Sequence, residues 1–141
     1  MKPNVLVIMD DQHRHDYLGC AGASFVHTPN IDRLAARGTR FTHCCTNSPV
    51  CGPARCSLAT GLYPHRTGCL GNDSALLPLS RPTYYQRFRD AGYRVSCFGK
   101  LDLAKPLNNQ VHPQGRRPLA YSWGFTDPCE IEGKIQAGVQ A

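Results

Sequence analysis

A run of apolar residues near the start of the chain constrains the fold most strongly. Residues 4–9 read Asn-Val-Leu-Val-Ile-Met and lack the alternation of a strand with one wet face. A short run of this kind, rich in β-branched residues, is typical of a parallel strand that is covered on both faces. The sequence therefore predicts a buried central strand over residues 4–9 and an α/β fold built on a parallel sheet.

The following segments continue an alternation of helices and strands. Residues 28–38 and 82–91 predict helices, because each begins at neighbouring threonine and proline residues and is closed by a glycine. Residues 39–45 and 93–99 predict strands from their β-branched and aromatic content. This order is the pattern of a parallel sheet with crossover helices, whose ligands bind at the carboxyl ends of the strands.

Four chemically notable residues fall at or beyond those strand ends: Asp10, Asp11, Cys51 and Lys100. Asp10 and Asp11 follow the first strand directly, and adjacent carboxylates repel each other unless a cation lies between them. Oxygen ligands of this kind suit Ca²⁺ or Mg²⁺. The two aspartates are therefore candidate metal ligands, with an ordinary acidic loop as the alternative.

Cys51 stands at the start of a third helical segment. Pro53 suits the first turn of a helix, and Gly61 can end it in a left-handed cap. The positive end of the helix dipole and the guanidinium of Arg55, one turn later, would both favour an anion near Cys51. These features make Cys51 a candidate reactive centre, although a lone cysteine here could also be a buried structural residue.

The residues around Cys51 form an extended motif. It reads Cys51-x-Pro53-x-Arg55, followed by Thr60-Gly61. The motif resembles the signature of the type I sulfatases in the alkaline-phosphatase-like superfamily, as do the strand ending in Asp10-Asp11 and the strand running into Gly99-Lys100. The resemblance implies a partial parallel-sheet sandwich of the alkaline-phosphatase-like α/β class. Residues 1–141 are expected to be the N-terminal part of a truncated sulfatase catalytic domain.

The resemblance also implies a reaction, the hydrolysis of sulfuric esters. In that family a formylglycine-generating maturation enzyme oxidises the residue matched by Cys51, and the hydrated aldehyde attacks the sulfur of a sulfate ester. Arg55 and Lys100 would be catalytic residues. Asp10, Asp11 and the modified Cys51 would bind Ca²⁺, or alternatively Mg²⁺.

The chain departs from the family pattern in two respects. Asp102 stands where a histidine is common, and the segment that carries the remaining metal ligands has no counterpart. The activity is therefore expected to be weak or incomplete. A phosphonate or phosphate monoester hydrolase of the same superfamily and a non-catalytic remnant are the alternatives. A cysteine phosphatase is disfavoured, because its loop needs five residues between cysteine and arginine.

Charge, hydropathy and cysteine content bear on the partners and the cellular compartment of the protein. The net charge is +6, but the basic residues are scattered and not interleaved with aromatic residues, so no nucleic-acid partner is predicted. No apolar run approaches membrane-spanning length, so no membrane partner is predicted either. The eight cysteines include no CxxC pair, and no signal peptide is visible, which favours reduced thiols in the cytoplasm.

Overall fold

The computed structural model describes residues 2–73, 76–104 and 117–130. The chain divides into two compact units, residues 1–45 and residues 46–141. Each unit is described by itself.

Residues 1–45 contain one short 3₁₀ turn and one helix. The turn spans Gly19–Ala21, and helix α1 spans Pro29–Arg37. Thr28 occupies the predicted N-cap position, and its hydroxyl accepts a hydrogen bond from the Gly19 amide and donates one to Asp32 Oδ1. This side-chain network ties the turn to the start of α1, and the predicted helix over residues 28–38 is confirmed.

The buried strand predicted over residues 4–9 is wrong for this structure. Among the described residues the segment pairs with no strand, and Leu6 and Ile8 are 83% and 80% exposed. Residues 39–45, also predicted as a strand, are likewise exposed and irregular. A covered strand needs neighbours on both edges and layers on both faces. Within the described ranges the only sheet is formed by two strands of residues 46–141, and neither segment is part of it.

Residues 46–141 hold the remaining helices and strands of the described ranges. The helices are α2 (Cys51–Thr60), α3 (Pro64–Thr67), α4 (Tyr84–Asp90) and α5 (Arg117–Ser122), and the strands are β1 (Ser96–Gly99) and β2 (Asp127–Glu130). The two strands pair in parallel, with Ser96 opposite Asp127 and Gly99 opposite Glu130. Strand β1 confirms the later part of the strand predicted over residues 93–99. None of the helices in the described part of the chain is long and apolar enough to cross a membrane.

The core of residues 46–141 forms around Trp123. The indole is fully buried, and its Nε1 donates to the carbonyl oxygen of Leu77 at 3.2 Å. Thr83 caps α4 by accepting from the Gln86 amide, and its hydroxyl donates to the Trp123 carbonyl oxygen. Burying a polar group costs free energy unless the group is hydrogen-bonded. These hydrogen bonds therefore allow the indole N–H and the Thr83 hydroxyl to be buried in the core. They fix α4 against the segment that follows α5.

Gly124 marks the closest approach between these segments. Its φ is +113°, and a Cβ atom at this position would lie 2.3 Å from the backbone nitrogen of Gln86. Only glycine adopts this conformation and leaves this space without strain. The ring of Phe125 packs beside Tyr85, with ring centroids 4.3 Å apart. The start of α4 therefore rests directly on the backbone at Gly124.

Candidate active site

Cys51 is the first residue of α2, as the sequence predicts. The helix begins with the hydrogen bond from the Ala54 amide to the Val50 carbonyl oxygen. It ends at Gly61, which has the left-handed φ of +71° expected of a helix cap. Pro53 in the first turn and Gly61 at the end thus set the limits of α2. Cys51 lies at the end of the helix where the amide groups of the first turn point outward.

The side chain of Asn72 closes the start of α2. Asn72 Oδ1 accepts from the Gly52 amide at 2.9 Å and lies 3.3 Å from Cys51 Sγ, within reach of the thiol hydrogen. Asn72 Nδ2 lies 3.2 Å from the same sulfur. Asn72 satisfies an amide that the helix itself leaves without a partner, and it contacts the candidate reactive atom at the same time. No sequence motif points to Asn72, because a cap supplied from 20 residues away leaves no local pattern.

The two cysteines of α2 have different surroundings. Cys51 is half-buried, whereas Cys56 is fully buried in the core. Contact with the Cys69 thiol, burial and the nearby charge of Asp102 all raise the pKa of Cys56. Because Cys56 is fully buried, Cys51 is the cysteine of α2 that a modifying enzyme could reach.

Arg55, Lys100 and Asp102 form a connected set next to α2. Arg55 is buried, and its Nη1 donates to the carbonyl oxygen of Lys100 at 2.5 Å. Lys100 follows the last residue of β1, as predicted, and its Nζ lies 3.2 Å from Asp102 Oδ2. The structure thus joins the motif helix to the end of β1, through the Arg55 side chain and the Lys100 backbone.

Asp10 contacts the imidazole of His13. Asp10 Oδ2 lies 2.5 Å from His13 Nδ1, and His13 Nε2 lies 3.1 Å from the Tyr17 carbonyl oxygen. The hydrogen bond with Asp10 and the contact with the Tyr17 carbonyl raise the pKa of His13. His13 therefore supports the carboxylate of Asp10 within residues 1–45.

The donor chemistry of the aspartates fits a divalent metal in kind. Asp10 and Asp11 supply carboxylate oxygens, which hard cations such as Ca²⁺ prefer. A calcium ion takes six to eight oxygen ligands. The described residues contain no group of three or more histidine, cysteine, aspartate or glutamate side chains that could hold a metal. The pair therefore fits part of a metal site.

The structure brings together the predicted site residues of residues 46–141. Cys51 and Arg55 share one helix, and Arg55 contacts Lys100. Asp10 and Asp11 belong to residues 1–45, and their joint role with residue 51 stays a prediction.

Comparisons with known proteins identify the family of the chain. The sulfatase family model matches residues 3–136. The chain is 40% identical over 111 residues to a choline-sulfatase of Rhizobium meliloti, an alignment covering 79% of this chain and 21% of that protein. It is 34% identical over 120 residues to the human steryl-sulfatase, covering 78% of this chain and 21% of the relative.

A solved structure supports the fold. The phosphonate monoester hydrolase of Agrobacterium radiobacter superposes with a TM-score of 0.72 at 31% identity, covering 93% of this chain and 26% of that one. The fold is accordingly of the alkaline-phosphatase-like α/β class. The chain spans about a fifth of the length of the curated relatives it matches. Members of the matching family generally use formylglycine and a divalent metal. The family model covers nearly all of the sequence, and the chain belongs to the sulfatase family.

Proposed function

We propose that the chain carries the nucleophile and part of the anion-binding site of a sulfuric ester hydrolase. One observation carries the proposal: half-buried Cys51 begins the helix whose Arg55 contacts the Lys100 backbone. The three proposed catalytic residues therefore lie in one packed unit.

Each of these residues has a specific role in the proposal. Cys51 is the precursor of formylglycine, which supplies the nucleophilic oxygen. Arg55 and Lys100 offset the negative charge on the sulfate oxygens, which is the electrostatic stabilisation that ester hydrolysis needs. Asn72 orients residue 51 through its contacts with the sulfur and with the Gly52 amide. The partner required is a formylglycine-generating maturation enzyme.

A metal would complete the charge balance of the site. Asp10 and Asp11, together with the modified residue 51, are the proposed ligands of Ca²⁺, with Mg²⁺ as the alternative. When bound, the divalent cation supplies positive charge to the sulfate oxygens. His13, which contacts Asp10, holds that carboxylate in place within its own unit.

A phosphonate monoester hydrolase is the second candidate. The similarity to the Agrobacterium enzyme favours it, because that alignment covers 93% of the chain. Sulfate monoesters and phosphonate monoesters each carry one negative charge, so the same two cations could bind either. The choice between them is a question of relative rate.

The test combines mass spectrometry with parallel assays. The protein is produced with and without a formylglycine-generating enzyme, and the peptide containing Cys51 is weighed. Conversion replaces the elements of hydrogen sulfide by one oxygen atom, so the peptide becomes lighter by that difference. We expect this change together with hydrolysis of an aryl sulfate that exceeds hydrolysis of an aryl phosphonate. An unmodified Cys51 and no ester hydrolysis would identify a non-catalytic protein.

A further inference from the structure

Asp102 combines two unfavourable features. Its side chain is 1% exposed, and its φ is +56°, in the left-handed region that residues other than glycine seldom adopt. A residue held in this region costs free energy, and so does a buried carboxylate that lacks a cationic partner. Such features persist where the surrounding structure compensates for them, and they concentrate at functional sites.

An ion pair with Lys100 helps to offset this cost. Lys100 Nζ lies 3.2 Å from Asp102 Oδ2, and the lysine side chain is 27% exposed. The carbonyl oxygen of the same lysine accepts from Arg55. Lys100 is thus held at both ends, with its backbone bonded to the motif helix and its ammonium group paired with the buried acid.

We propose that Asp102 is a positioning residue that holds the ammonium group of Lys100 in place for an anionic ester. The inference rests on the proposed sulfuric ester hydrolysis. A lysine has a flexible four-carbon stem, and fixing it before the ester binds removes an entropic cost from the reaction. Because Asp102 is buried, it acts through Lys100 and does not itself contact the ester. Asp102 thus positions Lys100 and does not donate a proton to the ester.

The geometry suggests a well-matched variant. Asn tolerates the left-handed conformation and has nearly the same shape as Asp, so Asp102→Asn removes the charge with little effect on the backbone. Asp90→Asn is the control, since Asp90 pairs with Arg89 on the exposed end of α4. Lys100→Met supplies the second side of a double-mutant cycle.

In the matured protein we expect Asp102→Asn to lower kcat/KM for an aryl sulfate by about 10- to 100-fold. The loss should lie mainly in kcat, and Asp90→Asn should leave the rate unchanged. In the Lys100→Met background, Asp102→Asn should have no further effect, because its action passes through the lysine. Equal losses in both backgrounds, or no loss in either, would overturn the proposal.

Lysine labelling separates this inference from the proposed function. Limited acetylation followed by peptide mapping measures the reactivity of the Lys100 amine toward the acetylating reagent. Asp102→Asn should raise the labelling of Lys100 several-fold and leave Lys2 unchanged, whether or not any ester is hydrolysed. Unchanged labelling of Lys100 would overturn the positioning role. An inactive matured wild type would instead overturn the proposed function alone.

A second pair of variants covers a failure of Asp102→Asn to fold. Lys100→Arg keeps a cation beside the buried carboxylate, and Lys100→Met removes it. We expect the methionine variant to unfold at a lower temperature than the arginine variant, because it removes the cation beside the buried carboxylate. Equal unfolding temperatures would show that the ion pair does not hold Asp102, and the proposal would fail.

Discussion

The two units of the chain differ in how far they bury their large apolar side chains. In residues 46–141, Trp123 and Leu77 are fully buried, and the indole is hydrogen-bonded. In residues 1–45, the equally apolar Leu6 and Ile8 are exposed. The contrast shows that an apolar segment becomes core only when neighbouring segments cover it. The two groups of proposed site residues therefore have different support: Cys51 begins a helix with several buried residues, whereas Asp10 follows an exposed segment.

The largest expected effect is on the proposed nucleophile. Cys51→Ser removes the thiol that maturation oxidises, so we expect sulfatase activity to fall by roughly 10³-fold or more. Asp16→Asn, an exposed change in residues 1–45, is the control. Steady-state assay of the matured proteins measures both. Full activity in Cys51→Ser would refute the role of this residue.

The contrast between the units predicts unequal costs of truncation. Trp123→Ala should lower the free energy of unfolding by about 3–5 kcal/mol, because it removes a buried ring and leaves a cavity. Ile8→Ala should change it by no more than about 0.5 kcal/mol, as expected for an exposed position. Urea denaturation measures both values. A large cost at Ile8 would break the comparison, since it would show that the protein buries this run.

Removing the cap on α2 should have a smaller effect, and two variants of Asn72 can separate its effect on stability from its effect on activity. Asn72→Ala removes the acceptor for the Gly52 amide and the contact with residue 51, and should cost about 1 kcal/mol of stability. Asn72→Asp keeps an acceptor, so it should retain stability while losing the donor that faces residue 51. Thermal unfolding measures the stability of each variant, and the aryl sulfate assay measures its activity. Loss of stability in the aspartate variant would show that capping is not the role of Oδ1.

The smallest effect concerns an exposed ion pair beside the sheet. Arg94 binds both carboxylate oxygens of Asp127, and this contact, with the Thr126 hydroxyl, lowers the pKa of Asp127 to about 2. A lowered pKa stabilises the fold above the ordinary value of 3.8 and loses that contribution as the pH falls through about 2.

The corresponding variant is Arg94→Ala. We expect it to unfold slightly more easily than the wild type at pH 5, with the difference shrinking between pH 4 and pH 2. Melting curves across this range provide the measurement. A difference that grows toward low pH would contradict the assigned pair.

The sequence predicted those parts of the site that depend on local signals. Proline and glycine mark the beginning and end of α2, and the glycine before Lys100 follows a short β-prone run, so both positions were predicted correctly. Asn72 was not predicted, because its contact with Cys51 depends on how a distant turn folds back. Nor does any pattern reveal that Asp102 is buried in a left-handed conformation.

The sequence was also misleading where burial depends on distant partners. The run over residues 4–9 has the composition of a covered strand, but strand propensity does not supply the neighbours that would cover it. The same reasoning succeeded for β1, because β2 lies beside it in register. Composition therefore predicts the tendency of a segment, and tertiary contacts decide whether it is realised.

The contact at Gly124 has a consequence for tolerance to mutation. A single added methyl group there would meet the main chain of Tyr85 and Gln86, which cannot rotate away as a flexible side chain could. The start of α4 would then have to move away from the backbone at Gly124, and this would disturb the packing around the buried indole of Trp123. A residue with no functional group thus becomes one of the least replaceable positions, and harmful variants can arise far from any reacting atom.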